Sequence, residues 1–176
     1  EECSQNNIPM AVMHLSTPPR GNDYNETGQE RIRKIVSYAE SLNIKVAFEN
    51  TRIGGYLEPL LANIPNENAG LCYDVGHNHV GYNDKIDLSL FKDRVISVHL
   101  HDNDTSRDQH LLPFEGTVNW EDEISKLIEN GYQGPITLEI VYADRYVKMD
   151  INEYYKKAYE AALKIALRFE DKRIYN

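Results

Sequence analysis

Five short apolar runs recur along this chain, and a carboxylate or an imidazole stands at or near the end of each. They are IPMAVMHL (8–15), IKVAFEN (44–50), AGLCYDVG (69–76), VISVHLHD (95–102) and PITLEIV (135–141). Each is nearly continuous rather than alternating, which is the pattern of parallel strands buried on both faces. Helical patterns lie between them. Residues 27–42 put Ile32, Ile35, Val36, Ala39 and Leu42 on one face. Residues 56–63 form a shorter pattern and 84–92 a weak one. Residues 119–130 are better marked: Asn119 can cap, Ile124, Leu127 and Ile128 face inward, and Gly131 ends the helix. Residues 150–170 carry a long, Ala-rich apolar face. Strand and helix alternate throughout, so the sequence predicts an α/β fold with a parallel sheet, open or closed into a barrel. No linker or composition break appears, and one domain is expected over 1–176.

Composition narrows the function. The 176 residues suffice for one domain with a real core. The net charge of -9 and sequence pI near 5.1 oppose the basic footprint of a nucleic-acid binder. Two cysteines, Cys3 and Cys72, make no disulfide framework, and Cys72 lies in a run that reads as buried. No apolar stretch of about 18 residues and no signal peptide is visible, so the expectation is a cytoplasmic protein off the membrane. The chain opens on Glu1, which suggests a piece of something longer.

The strand ends carry the chemistry. His14, Glu49, Asp74, His99 and Glu139 stand at or just past the carboxyl ends of the five runs, where α/β folds place their sites. Singly, each has an ordinary reading: a turn or cap carboxylate, or a core histidine. Five ligand-type residues at the same structural place need a common cause. Unpaired buried carboxylates cost several kcal/mol each, by order of magnitude, and a divalent cation offsets that. Glu, Asp, His and Glu form a mixed oxygen and nitrogen set that suits Mn, Mg, Co, Fe or Zn, with no thiolate placed to help. His101 is expected to point away from His99, as strand neighbours do, and either to support a ligand from behind or to pack outward, while Asp102, Asn103 and Asp104 are candidates to orient ligands or touch substrate. Tyr73, Phe114 and Trp120 are candidates to wall a pocket, and Arg145 is a candidate partner for a phosphate or carboxylate.

The stretches VMHLS, AFEN, GLCYDVGH, VHLHDND, DQHLLPFEG and ITLEI, in this order and spacing, resemble the xylose isomerase-like TIM-barrel superfamily. That superfamily holds sugar isomerases, sugar epimerases and endonuclease IV-type enzymes. The resemblance covers nearly the whole chain. It implies a (β/α)8 barrel of which only the last five β/α units are present, with 95–102 as the seventh strand. It places a core metal site on Glu49, Asp74, His99 and Glu139. Additional ligands of the endonuclease-type members match His14, His77, Asp108 and His110.

The expected function is therefore a metal-dependent isomerase or epimerase of a sugar or sugar phosphate. The cation (Mn, Mg, Co or Zn) would stabilise an enediolate, while Glu49 and Glu139 act as the acid and base. His14 and His110 would contact hydroxyls or a phosphate. One alternative is an endonuclease IV-type phosphodiesterase acting on abasic DNA, to which His77, Asp108 and His110 would add ligands. Another is a non-catalytic, sugar-binding barrel remnant. An arc of five strands leaves open edges, so either self-association or a missing N-terminal segment is expected to complete the barrel.

Overall fold

Four of the five apolar runs form strands of one sheet. The structure is a computed structural model and describes residues 1–15, 25–51, 56–64, 67–81 and 85–174. In chain order the elements are α1 (Glu2–Gln5), β1 (Met10–Met13), α2 (Glu26–Ser41), β2 (Lys45–Glu49), α3 (Leu57–Ala62), β3 (Ala69–Asp74) and α4 (Val75–Val80). A 3-10 turn (Leu88–Phe91) leads to β4 (Val95–His99), then α5 (Trp120–Glu129), a second 3-10 turn (Asp144–Tyr146) and α6 (Ile151–Ile174). The strands are ordered β1-β2-β3-β4, and every neighbouring pair is parallel. β2 is buried from Val46 onward and β3 along its whole length, which is why these runs do not alternate. Phe48, Leu71, Val98, Leu100, Ile124, Leu127 and Ile165 belong to one core cluster between strands and helices.

The helices follow their local signals. Asn25 caps α2 by accepting from the Gly28 N–H at 2.8 Å, and Asn119 caps α5 through the Asp122 N–H at 3.3 Å. α6 buries Tyr154, Ala158, Ala161, Ile165 and Phe169 on one face. On its other side Ile151, Tyr155, Tyr159, Leu163 and Leu167, spaced four residues apart, are exposed.

Two expectations need correction. The run 135–141 is not a strand. It makes one parallel bridge, Leu100 with Leu138, supported by Leu100 N–H to Thr137 O at 2.9 Å and Glu139 N–H to Leu100 O at 3.1 Å. Pro135 has no N–H to give, and the segment pairs with a stretch lying past the end of β4, so no longer ladder forms. The weak pattern at 84–92 becomes only the 3-10 turn 88–91, with Leu88 and Phe91 buried three residues apart, a spacing that suits a 3-10 turn. Asp84 lies outside the described residues.

The long loop after β4 is organised around one carboxylate. Asp102 is fully buried. Its Oδ1 accepts from the N–H groups of Asn103 (2.9 Å) and Val118 (3.0 Å). Its Oδ2 accepts from the Phe114 N–H (3.0 Å) and the Trp120 indole N–H (2.8 Å). The Asp102 backbone also pairs with Leu111 in both directions at 2.9 Å. Gly116 is needed beside it: a Cβ there would lie 2.2 Å from Asp102 Oδ1 and 2.5 Å from the Asn103 carbonyl.

Asp102→Asn replaces one acceptor oxygen by an NH2 group that faces two donors. Charge-assisted hydrogen bonds contribute roughly 1.5–3 kcal/mol each, so the expected loss is about 3 kcal/mol or more. Urea unfolding of the two proteins measures it, and a midpoint within error of wild type would refute this account of the loop.

Candidate metal centre

Parallel strands deliver their last residues to one edge of the sheet, and here that edge is ionisable. Glu49, Asp74 and His99 are the final residues of β2, β3 and β4. His14 follows β1 directly, and Glu139 follows the bridged Leu138. Asn50 fixes Asp74 by taking its backbone N–H at 2.7 Å and donating to its carbonyl at 2.9 Å. Asp74 in turn caps α4, its Oδ1 accepting from the His77 N–H at 2.7 Å. His77 therefore sits on a short helix, held at a fixed height above Asp74.

All eight residues singled out in the sequence come together. His99 Nδ1 stands 3.1 Å from Glu49 Oε2 and 3.1 Å from Glu139 Oε2. His14 Nε2 and His77 Nδ1 are each 3.2 Å from Glu49 Oε1, and His77 Nδ1 is 3.5 Å from Asp74 Oδ2. The His77 ring spans to Asp108, whose Oδ2 lies 3.1 Å from Nε2, and His110 Nε2 is 3.4 Å from Asp108 Oδ1. His110, held at a positive φ of 48°, also bonds the Glu139 carbonyl through Nδ1 at 2.8 Å.

Two adjacent ligand groups of four residues result. In one, Glu49, Asp74, His99 and Glu139 offer ligand atoms within 4.8 Å of one another; in the second, His77, His101, Asp108 and His110 do the same. Glu49 Oε1, Asp74 Oδ2, His99 Nδ1, Asp108 Oδ1 and Glu139 Oε2 are buried without a hydrogen bond, although their neighbours stand at ion-pair distance. Contacts this close but misaligned are those of donor atoms directed at a shared point, and the residues fit a divalent cation. Cys72, where no thiolate was expected to help, forms a third group with Glu49 and His99. Burial pushes its thiol pKa up, which disfavours the thiolate a metal needs.

The electrostatics are those of carboxylates and imidazoles neutralising one another. Burial pushes Glu49 up, but the His77 and His99 imidazoles at ion-pair distance outweigh it and hold the carboxyl well below its usual range. Glu139 is likewise opposed by burial yet held to about 2, chiefly by His99. Burial disfavours protonated His77, but Asp108 and Glu49 raise it to about 11. His99 is raised against burial to about 12 by Cys72, Glu139 and Glu49. Asp108 raises His110 to about 9, and Asp108 itself is held well below its usual range by His110 and His77 despite burial. Asp74, fully buried, is lifted by desolvation.

His101 was misplaced by the sequence. It and His99 are two residues apart, so along an extended chain they share a face. His101 is fully buried, with Nε2 3.1 Å from Asp74 Oδ1 and 3.7 Å from Asp108 Oδ1. The VHLHD spacing carried that signal. Asn50 was not singled out; Asn103, a candidate to orient ligands or touch substrate, donates to the Gly76 carbonyl at 2.8 Å.

The proposed pocket walls lie elsewhere. Tyr73 turns toward α5 and donates to Glu123 at 2.8 Å, bordering a cavity of about 480 Å³ that Ile86 and Lys126 also line. Trp120 binds Asp102 and packs on Phe114, with ring centroids 5.6 Å apart. Arg145 pairs with Glu115 at 3.8 Å and donates to its carbonyl at 3.3 Å.

Fold and site together define a class: an arc of a parallel β/α barrel with ligand-type side chains at the carboxyl ends of its strands. The sequence pattern of the xylose isomerase-like TIM barrel matches residues 1–166, and the chain belongs to that family. It is 30% identical over 156 residues to the uncharacterized protein y4fM of Sinorhizobium fredii (strain NBRC 101917 / NGR234), covering 86% of this chain and 48% of that one. It is 33% identical over 119 residues to the uncharacterized protein MJ1311 of Methanocaldococcus jannaschii, covering 61% and 41%. The chain thus spans about half the length of these relatives or less. Among solved structures, a D-tagatose 3-epimerase-like protein superposes with a TM-score of 0.74 at 24% identity, covering 97% of this chain and 66% of that one. The IolI protein with a binding zinc atom gives 0.79 at 14% identity, covering 95% and 66%. D-psicose 3-epimerase with D-tagatose, from Clostridium cellulolyticum H10, gives 0.74 at 14%, covering 96% and 67%. These likenesses establish a TIM-barrel fold of which this chain forms part. No helix among the described residues is long and apolar enough to cross a membrane.

Gly76→Ala tests the packing of the centre. An added Cβ would meet the His101 ring at 2.0–2.4 Å, so the imidazole must move. Overpacking of this kind costs roughly 1–3 kcal/mol. Thermal unfolding should show the loss, and an unaltered melting temperature would contradict the close approach.

Proposed function

We propose that this chain carries the metal centre of a metal-dependent isomerase or epimerase acting on a sugar or sugar phosphate. The observation behind it is the placement of Glu49 and Glu139 carboxylates on either flank of one His99 nitrogen, each 3.1 Å away, with Asp74 in the same group. The sugar 3-epimerases among its structural neighbours support a polyol substrate, and the zinc in IolI supports a divalent cation.

Glu49, Asp74, His99 and Glu139 would hold the cation, Mn, Mg, Co or Zn. When bound there, it supplies Lewis-acid stabilisation of negative charge developing on substrate oxygens. The chain's own residues handle the proton. Glu139, with a side chain 39% exposed, is the carboxylate a substrate reaches first and removes a proton from the carbon beside the carbonyl. Glu49, 3% exposed and kept ionised by the histidines around it, returns a proton relayed from protonated His77, whose Nδ1 stands 3.2 Å from its Oε1. His14 and His110 offer ring nitrogens to substrate hydroxyls or a phosphate.

Elemental mass spectrometry of the reconstituted protein should find one equivalent of divalent cation, lost in Glu139→Gln. With D-psicose, D-tagatose and D-fructose as substrates, epimerisation in Glu139→Gln should fall by about 10²–10⁴-fold. Absence of any cation after reconstitution would defeat the proposal.

One observation favours a second reading. His77, Asp108 and His110 form their own ligand group beside the first, as a cluster acting on phosphodiesters would require. The net charge of -9 speaks against a DNA substrate. Two or three bound zinc ions and cleavage of abasic DNA would favour it.

The partner follows from the exposed apolar side chains. Val12, Ile35 and Tyr38 stand on the β1 side of the arc, and Val147, Tyr155, Tyr159 and Leu163 around α6. Three further β/α units, with the run 135–141 in the place of a fifth strand beside β4, would cover both margins and complete an eight-stranded barrel. In their absence the 176-residue chain should self-associate with concentration in sedimentation runs, and Tyr155→Lys with Tyr159→Lys should weaken that association. A strict monomer at all concentrations would count against it.

A further inference from the structure

His101 is the one imidazole of the centre that no substrate can reach. It is fully buried, and neither ring nitrogen has a hydrogen bond. Its ring lies between Gly76 and His110, stacked on the latter with centroids 4.1 Å apart and planes 15° from parallel. Its Nε2 looks at two carboxylates, Asp74 Oδ1 at 3.1 Å and Asp108 Oδ1 at 3.7 Å. Asp74 belongs to the group with Glu49, His99 and Glu139; Asp108 belongs to the group with His77, His110 and His101 itself. A single nitrogen therefore faces one carboxylate from each group.

The chain has arranged this contact. Position 76 admits no side chain without displacing the ring, and the Gly76 carbonyl is tied to Asn103 at 2.8 Å. Asn103 follows Asp102, whose four donors fix the chain beside His101. His101 is thus held rigidly on three sides: by Gly76, by the His110 ring and by its own backbone. A side chain that is buried, oriented and aimed at ligand oxygens acts by setting their direction.

We infer that His101 is a positioning residue that aims Asp74 and Asp108 and so couples the two ligand groups into one centre. This inference rests on the metal reading above. With Asp74 Oδ1 steadied by His101 and by the His77 N–H at 2.7 Å, Oδ2 is the oxygen left for the cation. Loss of the ring frees Asp74 to rotate and Asp108 to pair only with His77 and His110.

The test is titration of the apoprotein with Co²⁺, read by visible absorption and calorimetry, on wild type, His101→Phe and His101→Gln. Phe keeps the ring volume and the stacking but has no nitrogen. Gln places an amide nitrogen near the Nε2 position. The expected result is Co²⁺ affinity lowered by about 10–100-fold in His101→Phe, with an altered absorption spectrum and a melting temperature near wild type, and partial rescue in His101→Gln. Wild-type affinity and spectrum in His101→Phe overturn the inference while leaving the metal reading intact. Absence of Co²⁺ uptake by wild type overturns both. Loss of affinity in Phe and Gln alike, with a collapsed melting temperature, marks His101 as core packing and also overturns the inference.

Discussion

The carboxylate of Asp102 governs how this chain builds its ionisable edge. Two oxygens receive four N–H groups, drawn from residues 103, 114, 118 and 120, and nothing of its acceptor capacity is left for water. A buried charge satisfied so completely is worth more as an organiser than as a bond, since any other path for the loop would strand it. The loop in question carries Asp108 and His110. Its far end starts α5 at Trp120, which shares its indole N–H with the same carboxylate. One side chain thus couples the sheet edge, the ligand loop and the next helix.

The edge itself holds more charge than a folded protein retains without compensation. Glu49, Asp74, Asp108 and Glu139 converge within a few ångströms, balanced by the imidazoles of His77, His99 and His110. Mutual neutralisation satisfies the charge, but it does not satisfy the geometry, because several of the donor atoms find no aligned partner. A cation would serve both needs at once: it brings positive charge and accepts lone pairs from any direction its ligands supply.

Much of this was readable in the residues. Continuous apolar runs announced buried parallel strands, and the polar residue closing each run marked the edge where ionisable side chains gather. The helix cap at Asn119 came from local chemistry that the chain spells out directly, whereas the cap at Asn25 emerged only in the structure. Less visible was anything set by a neighbour. The run 135–141 has strand composition, but its pairing depends on where β4 stops, and only Leu138 finds a partner there. Tyr73 looked like a pocket wall because it adjoins Asp74. Strand alternation turns it instead to the helix side, where Glu123 and Asn78 bind its hydroxyl. Asp102 and Gly116 gave no sign of their pairing, since the contact joins residues fourteen apart through a loop with no periodicity.

The centre is also drawn from widely separated pieces of chain, and that has a temporal consequence. Asn50 meets Asp74 across 24 positions, His77 meets Asp108 across 31, and His110 meets Glu139 across 29. No short peptide contains even three of the first group's ligands. Closing loops of this length precedes any gain from the contacts they allow, so such contacts form late in folding. During synthesis the ribosome releases Glu139 long after Glu49, and the nascent chain passes through a period in which the sheet is laid down while its chelating edge is still unfinished. An ion taken up at this edge would then report completion of the tertiary structure rather than guide it.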